Sequence, residues 1–256
     1  MSNPELVTAL DMDQWSESLA AKSTLPVLVR RLILATAHVT EISIRGREGV
    51  AVPGWDGQVR CDVDDPHVPR GASGWELGTS REPRHKAQSD MHDRILDPQG
   101  ADPKTTTYVA VTSRTWRDRG NWRDARRADG PWADVRAYDA DDLETWLERA
   151  PSVHYWISEQ LDREPRDVAT PDAWWERWSR RTRLVLPRGF LLAGRDAMVS
   201  QVRDALGQPP RPTTVAAASR EEALAVVCAS LVGDSNDVDD IDDLRARALV
   251  VSGPGA

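Results

Sequence analysis

Two carboxylates in similar settings are the residues of this 256-residue chain best placed to do chemistry. Asp56 lies in Pro53-Gly54-Trp55-Asp56-Gly57-Gln58-Val59, at a turn entering a strand-like run. Glu76 lies in Ser73-Gly74-Trp75-Glu76-Leu77-Gly78-Thr79-Ser80, inside the next such run. Adjacent strands are about 4.8 Å apart, so two acids placed this way can share one divalent ion. Mg²⁺ takes few carboxylates and completes its shell with waters and phosphate oxygens. An ion so held activates a water and stabilises charge at phosphorus. The plainer readings are that Asp56 before Gly57 is a turn former and that Glu76 is a solvated strand acid, a harder case between Trp75 and Leu77. Glu41 and Glu48 are possible further acids, and His85 and His92 lack ligand spacing and read as exposed.

A second cluster is basic. Between residues 114 and 127 stand Arg114, Arg117, Arg119, Arg123, Arg126 and Arg127 against Asp118 and Asp124, a local balance of +4. Trp116 and Trp122 are interleaved with them. Arginines that displace counterions from phosphates, with indoles packing on bases or sugars, make a nucleic-acid surface. The alternative is a solvated helix face whose tryptophans cover core.

The elements that must position these residues follow from periodicity and punctuation. Residues 24–37 (TLPVLVRRLILATA) have the apolar spacing of a buried amphipathic helix, with Thr24 as N-cap and Pro26 in its first turn. Strand-like segments at 41–45, 57–61 and 74–79, separated by turns such as Val52-Pro53-Gly54, suggest a meander. Residues 83–96 read as a helix ended by Asp97-Pro98, and in it Asp90 stands one turn after Lys86, which suits an i,i+4 ion pair. A central strand at 108–112, a polar helix at 121–128, a strand at 133–138 and a helix at 141–149 follow. The order β-β-β-α-β-α-β-α implies an α/β fold with a mixed sheet flanked by helices.

The turn Gly54-Trp55-Asp56-Gly57, the strand Trp75-Glu76-Leu77-Gly78-Thr79, the helix holding Lys86 and Asp90, and the run 132–139 leading to Leu143 and Trp146 resemble the PD-(D/E)XK nuclease superfamily. The branch in question supplies N-terminal domains of large bacterial proteins of phage-defence type. The resemblance covers roughly residues 25–161 and implies a restriction-endonuclease-like fold, phosphodiester hydrolysis, DNA in preference to RNA as substrate, and Mg²⁺ or Mn²⁺ as cofactor. Asp56 and Glu76 would then be metal ligands. The family pattern asks for a lysine two positions after the acid, where Gly78 stands. Lys86, ten positions beyond Glu76, is the candidate to replace it as the third catalytic residue. Only Lys22, Lys86 and Lys104 occur among 33 basic residues, so a retained lysine suggests a need for a compact ammonium.

Length and composition bound the rest. The chain exceeds one average domain, and 40% hydrophobic with 29% charged residues is ordinary globular usage. Its net charge of -8 is concentrated in Asp234, Asp237, Asp239, Asp240, Asp242 and Asp243, so it does not exclude a nucleic-acid partner. Cys61 and Cys228 have no companions at metal spacing and read as buried small hydrophobes. The absence of a long apolar run or leader-like start points to a cytoplasmic protein with no membrane partner.

Residues 162–171 (DREPRDVATP) mark the expected edge between a nuclease-like domain over 1–165 and a partial α/β domain over 172–256. In the latter, a helix at 194–206, a strand at 213–217, a helix opened by a Ser219/Glu222 capping box and a strand at 249–252 suggest a βαβ unit cut short. It resembles the start of an NTPase-like or signalling domain and implies a longer parent chain. No phosphate-binding GxxxxGK[ST] motif is present. Against an active nuclease stands a catalytically silent module that binds nucleic acid or a partner chain, a reading kept open by Gly78. A third reading is a regulatory scaffold that positions a larger C-terminal machine.

Overall fold

A computed structural model describes residues 6–44, 54–163, 165, 167–181, 183–207, 212–231 and 243–252. The chain divides into two compact units, Met1–Arg163 and Glu164–Ala256.

The first unit opens with α1 (Ala9–Trp15) and α2 (Leu19–Thr36), followed by the meander β1 (Val39–Ile44), β2 (Gly57–Cys61) and β3 (Gly71–Gly78). Then come α3 (Pro83–Leu96), β4 (Thr106–Thr112), α4 (Arg119–Asp129), β5 (Asp134–Tyr138), α5 (Ala140–Glu148) and α6 (Pro151–Gln160). The five strands form one mixed sheet in the order β1-β2-β3-β4-β5. β1, β2 and β3 pair antiparallel, and α3 and α4 are the crossovers that make β3, β4 and β5 parallel. β2 alternates buried and exposed residues, as a half-covered strand must. All seven residues of β4 are buried, because it is central and covered on both faces.

One sheet face carries Trp75, which packs near Tyr138 and Trp146, while Leu25, Leu28, Leu32 and Ile33 of α2 are fully or almost fully buried. The other face is filled by Trp55, Tyr108, Ala110, Val135 and Ala137 with Ala87 and Met91 of α3 and Trp122 of α4. Helix α2 begins earlier than its sequence suggests. Its N-cap is Ser18, whose hydroxyl accepts from the Ala21 N–H at 3.2 Å, so Thr24 is no cap and Pro26 is interior. The first helix, capped by a Thr8/Asp11 box, and α6 have no counterpart in the sequence expectation.

The second unit contains β6 (Val168–Ala169), α7 (Pro171–Ser179), α8 (Arg188–Leu192), α9 (Asp196–Gly207), α10 (Arg220–Leu231), α11 (Asp243–Ala246) and β7 (Val250–Val251). Trp174, Ala225, Cys228 and Val250 are its core, with Trp175 and Trp178 packed against them. The expected βαβ unit is not found among the described residues. Residues 213–217 are mostly exposed and outside any strand, and Val250–Val251 pairs antiparallel with Val168–Ala169. The predicted box at Ser219 is half formed: its hydroxyl accepts from Glu222 N–H, but the Glu222 carboxylate accepts from the Ala218 N–H.

Candidate active site

Register brings the two carboxylates together. Gly57 of β2 pairs with Trp75 of β3, so the next pair outward sets Asp56 opposite Glu76. The preceding turn is fixed by Gly54, which takes φ 126°, and by Trp55, whose ring lies on Gly74. A Cβ at Gly74 would come within 2.6 Å of that ring, so the glycine admits the indole. Trp55 is further held by its Nε1–H, which donates to Pro98 O at 3.0 Å. Asp56 Oδ2 then accepts from the Leu77 N–H at 2.8 Å, which ties the turn to β3.

Glu76 is 6% exposed, and its Oε1 accepts from Arg94 Nε at 2.7 Å. Burial raises its carboxyl to about 8, reinforced by the negative charges of Asp56 and Asp90 and opposed by Arg94 and Lys86. Burial also raises Asp90, against the hydrogen bond it accepts from Lys86. Each strand carboxylate is thus oriented through one oxygen, Asp56 by a backbone donor and Glu76 by a guanidinium. Among the described residues no hydrogen bond is made to the other oxygen of either. Behind them the Tyr108 hydroxyl is buried without a hydrogen-bond partner, its proton held on by burial first and by Glu76 and Asp90 next.

Lys86 arrives from the first turn of α3. Its aliphatic stem lies on Gly78, two positions after Glu76 and therefore on the same face of β3: a Cβ there would be 3.4 Å from Lys86 Cγ. A small cavity of about 10 Å³, room for about one water, touches Glu76, Gly78, Lys86 and Asp90. On its other side Lys86 joins Asp56 and Lys22 in lining a larger cleft of about 340 Å³.

Two carboxylates with an available oxygen each and a nearby ammonium are a donor set suited to a hard cation that keeps several waters. Among the described residues no three His, Cys, Asp or Glu side chains converge as a complete metal cage. Mg²⁺, which demands only one or two carboxylates, does not need one.

The basic cluster is arranged otherwise than expected. Trp116 and Trp122 are each 3% exposed and stand in the core 5.2 Å from one another, so neither offers a face to a base. Arg114 is buried and donates to Thr79 O, Asp13 O and Glu17. Arg119 pairs with Asp142 and Asp139, Arg123 with Asp124, and Arg127 with Asp134. Arg126 is half-buried, and of the six only Arg117 is exposed with no ion pair among the described residues. Arg114, Arg119 and Arg127 are thus met by acids outside the 114–127 segment. Glu41 pairs with Arg60, His85 and His92 are exposed as expected, Cys61 and Cys228 are buried, and Glu48 and most of the aspartate-rich run lie outside the described residues.

Arg94 and Tyr108 are the site-adjacent residues that sequence reasoning missed. For Arg94 a signal existed: Lys86, Asp90 and Arg94 recur every fourth residue and form one stripe of α3. Among the described residues no helix is long and apolar enough to cross a membrane. No protein-family model, curated protein or solved structure matches the chain.

Proposed function

We propose that the first unit is a divalent-metal-dependent phosphodiesterase of PD-(D/E)XK type, acting on DNA. The observation that carries this reading is the packing of Lys86 on Gly78, beside Glu76 and opposite Asp56. A Cβ at position 78 would touch the Lys86 side chain at 3.4 Å. The family's usual lysine position is vacant in sequence, yet an ammonium reaches the same neighbourhood from α3.

Asp56 and Glu76 would hold the ion through the oxygens left available by Leu77 N–H and Arg94. A bound Mg²⁺ supplies Lewis-acid polarisation of the phosphate and a more acidic water. Lys86 is placed to orient that water and to offset charge that develops on the phosphoryl oxygens. Asp90 fixes the Lys86 ammonium by an ion pair on the adjacent turn. Arg94, placed between Glu76 and the Trp55 ring 5.6 Å away, holds one Glu76 oxygen and leaves the other available.

The same contacts favour a second reading, a catalytically silent module, because one Glu76 oxygen and the Lys86 ammonium are already engaged, by Arg94 and Asp90. Cleavage of DNA in Mg²⁺ and Mn²⁺ separates the two. The nuclease reading expects Glu76→Gln and Asp56→Asn to lose about a thousandfold in rate or more while DNA binding survives. A wild-type protein that binds DNA and cleaves none with either ion supports the silent module.

A further inference from the structure

Only three lysines occur among the 33 basic residues, and two of them, Lys22 and Lys86, line the same 340 Å³ cleft beside Asp56. Chance placement of so scarce a residue makes this pairing worth a physical explanation. Lys22 stands at the start of α2, whose first turn contains no acid. A cation there opposes the helix macrodipole, so local stability does not account for it. Its side chain is exposed, and among the described residues no carboxylate pairs with it, so it is not part of the internal charge network that absorbs most arginines of the 114–127 cluster. Pro26 and Leu25 of the same helix form part of the cleft wall.

The choice of lysine over arginine also has a reason. A guanidinium beside Asp56 would offer a bidentate fork to its carboxylate and engage both oxygens. An ammonium is a point charge that can serve a phosphate without closing over the acid. Thr79 and Ser80, at the end of β3, place polar groups along the same wall.

We propose that Lys22 is a substrate-binding residue, which contacts the backbone phosphate adjoining the one at Asp56 and Glu76, so that the cleft between α2 and α3 takes a phosphodiester strand. The identity of the strand rests on the phosphodiesterase reading above, but the inference concerns binding and not bond cleavage. The probes are a short labelled oligodeoxynucleotide and its ribonucleotide counterpart, bound to the full chain in Ca²⁺ over a range of salt concentrations. Lys22→Ala is expected to weaken binding by about tenfold and to flatten the dependence of log affinity on log salt by about 0.7, the share of one phosphate on a single strand. In Mg²⁺ the same variant is expected to raise KM with little change in kcat, because the lost contact is uniform binding. Lys104→Ala, which removes the third lysine far from this cleft in the loop before β4, is expected to bind as wild type does. Unchanged affinity and salt slope for Lys22→Ala overturn the inference, and if Mg²⁺-dependent cleavage persists the phosphodiesterase reading stands without it. A wild-type protein that cleaves nothing but loses strand affinity on Lys22→Ala reverses that outcome: the inference stands and the catalytic reading falls. Failure of the wild type to bind either strand overturns the inference outright. DNA against RNA affinity identifies which strand the cleft prefers.

Discussion

Helices α3 and α4 are both short, strongly charged crossovers, yet their charges are used in opposite ways. In α4 and the turn before it most of the arginines are tied to carboxylates: Arg114 to Glu17, Arg119 to Asp142, Arg127 to Asp134. Arg81 and Arg114 together hold the Glu17 carboxyl down at about 2. In α3 the stripe Lys86, Asp90, Arg94 faces a strand that contributes Glu76 and is itself partly desolvated. A count of local charge therefore finds the helix with more arginines, whereas the helix proposed to serve the site is the one whose charges meet a buried acid.

That contrast can be broken at several points. The largest expected effect on folding is at Trp122: truncation to Ala empties a buried site and is expected to cost about 3 kcal/mol or more in chemical denaturation. An indole that served only a nucleic-acid surface would leave stability unchanged.

The next is Glu76→Gln. A carboxyl whose folded value is raised to about 8 binds a proton more tightly in the folded than in the unfolded state. Its contribution is therefore fully present below its unfolded value near 4.5 and is lost as pH rises through about 8. Glu76→Gln keeps an acceptor for Arg94 and removes this loss, so it is expected to gain on wild type by at most about 1.4 kcal/mol per pH unit between those values and to flatten the pH dependence across that window. Melting curves of both proteins between pH 5 and pH 8, in the absence of divalent ions, check it; a variant that gains nothing on wild type as pH rises contradicts the assigned proton.

The smallest effect belongs to α4. Arg123→Glu exchanges a part-exposed ion pair with Asp124 for a repulsion, and is expected to change stability by less than about 1 kcal/mol. Its effect on DNA affinity is expected to be well below that of Lys22→Ala. Equal losses for the two variants would return the binding surface to α4.

How much of this was readable in advance depended on the range of the interactions. Strand β2 and helix α3 coincide with their sequence expectations because alternation defines the one and Pro83 with Asp97-Pro98 punctuates the other. The five-stranded mixed sheet follows from the element order. The start of α2 was misplaced because Pro26 looks like a first-turn residue, and only tertiary burial makes an interior proline tolerable. Helix α6 was hidden by polar residues that become buried through contacts far along the chain: Ser158 Oγ accepts from Val7 N–H and His154 Nε2 meets Val7 O. The segment expected to be a strand at 213–217 has β-type residues but lies outside any strand. The pairing of Asp56 with Glu76 was legible through the meander. The Arg94 contact to Glu76 and the burial of Tyr108 depend on how α3 and β4 pack, which periodicity does not encode.

The most direct test moves the lysine. Gly78 has no unusual backbone conformation, and a Cβ there meets Lys86 at an ordinary contact distance, so a side chain at 78 becomes comfortable once Lys86 is truncated. Single-turnover cleavage of DNA in Mg²⁺ is to be measured for Lys86→Ala and for the double variant Lys86→Ala/Gly78→Lys. The expected result is a loss of about a hundredfold or more in the single variant and recovery of much of that loss in the double. Wild-type rates for Lys86→Ala, or a double variant no faster than the single, would contradict the assignment of Lys86 as the ammonium of this site.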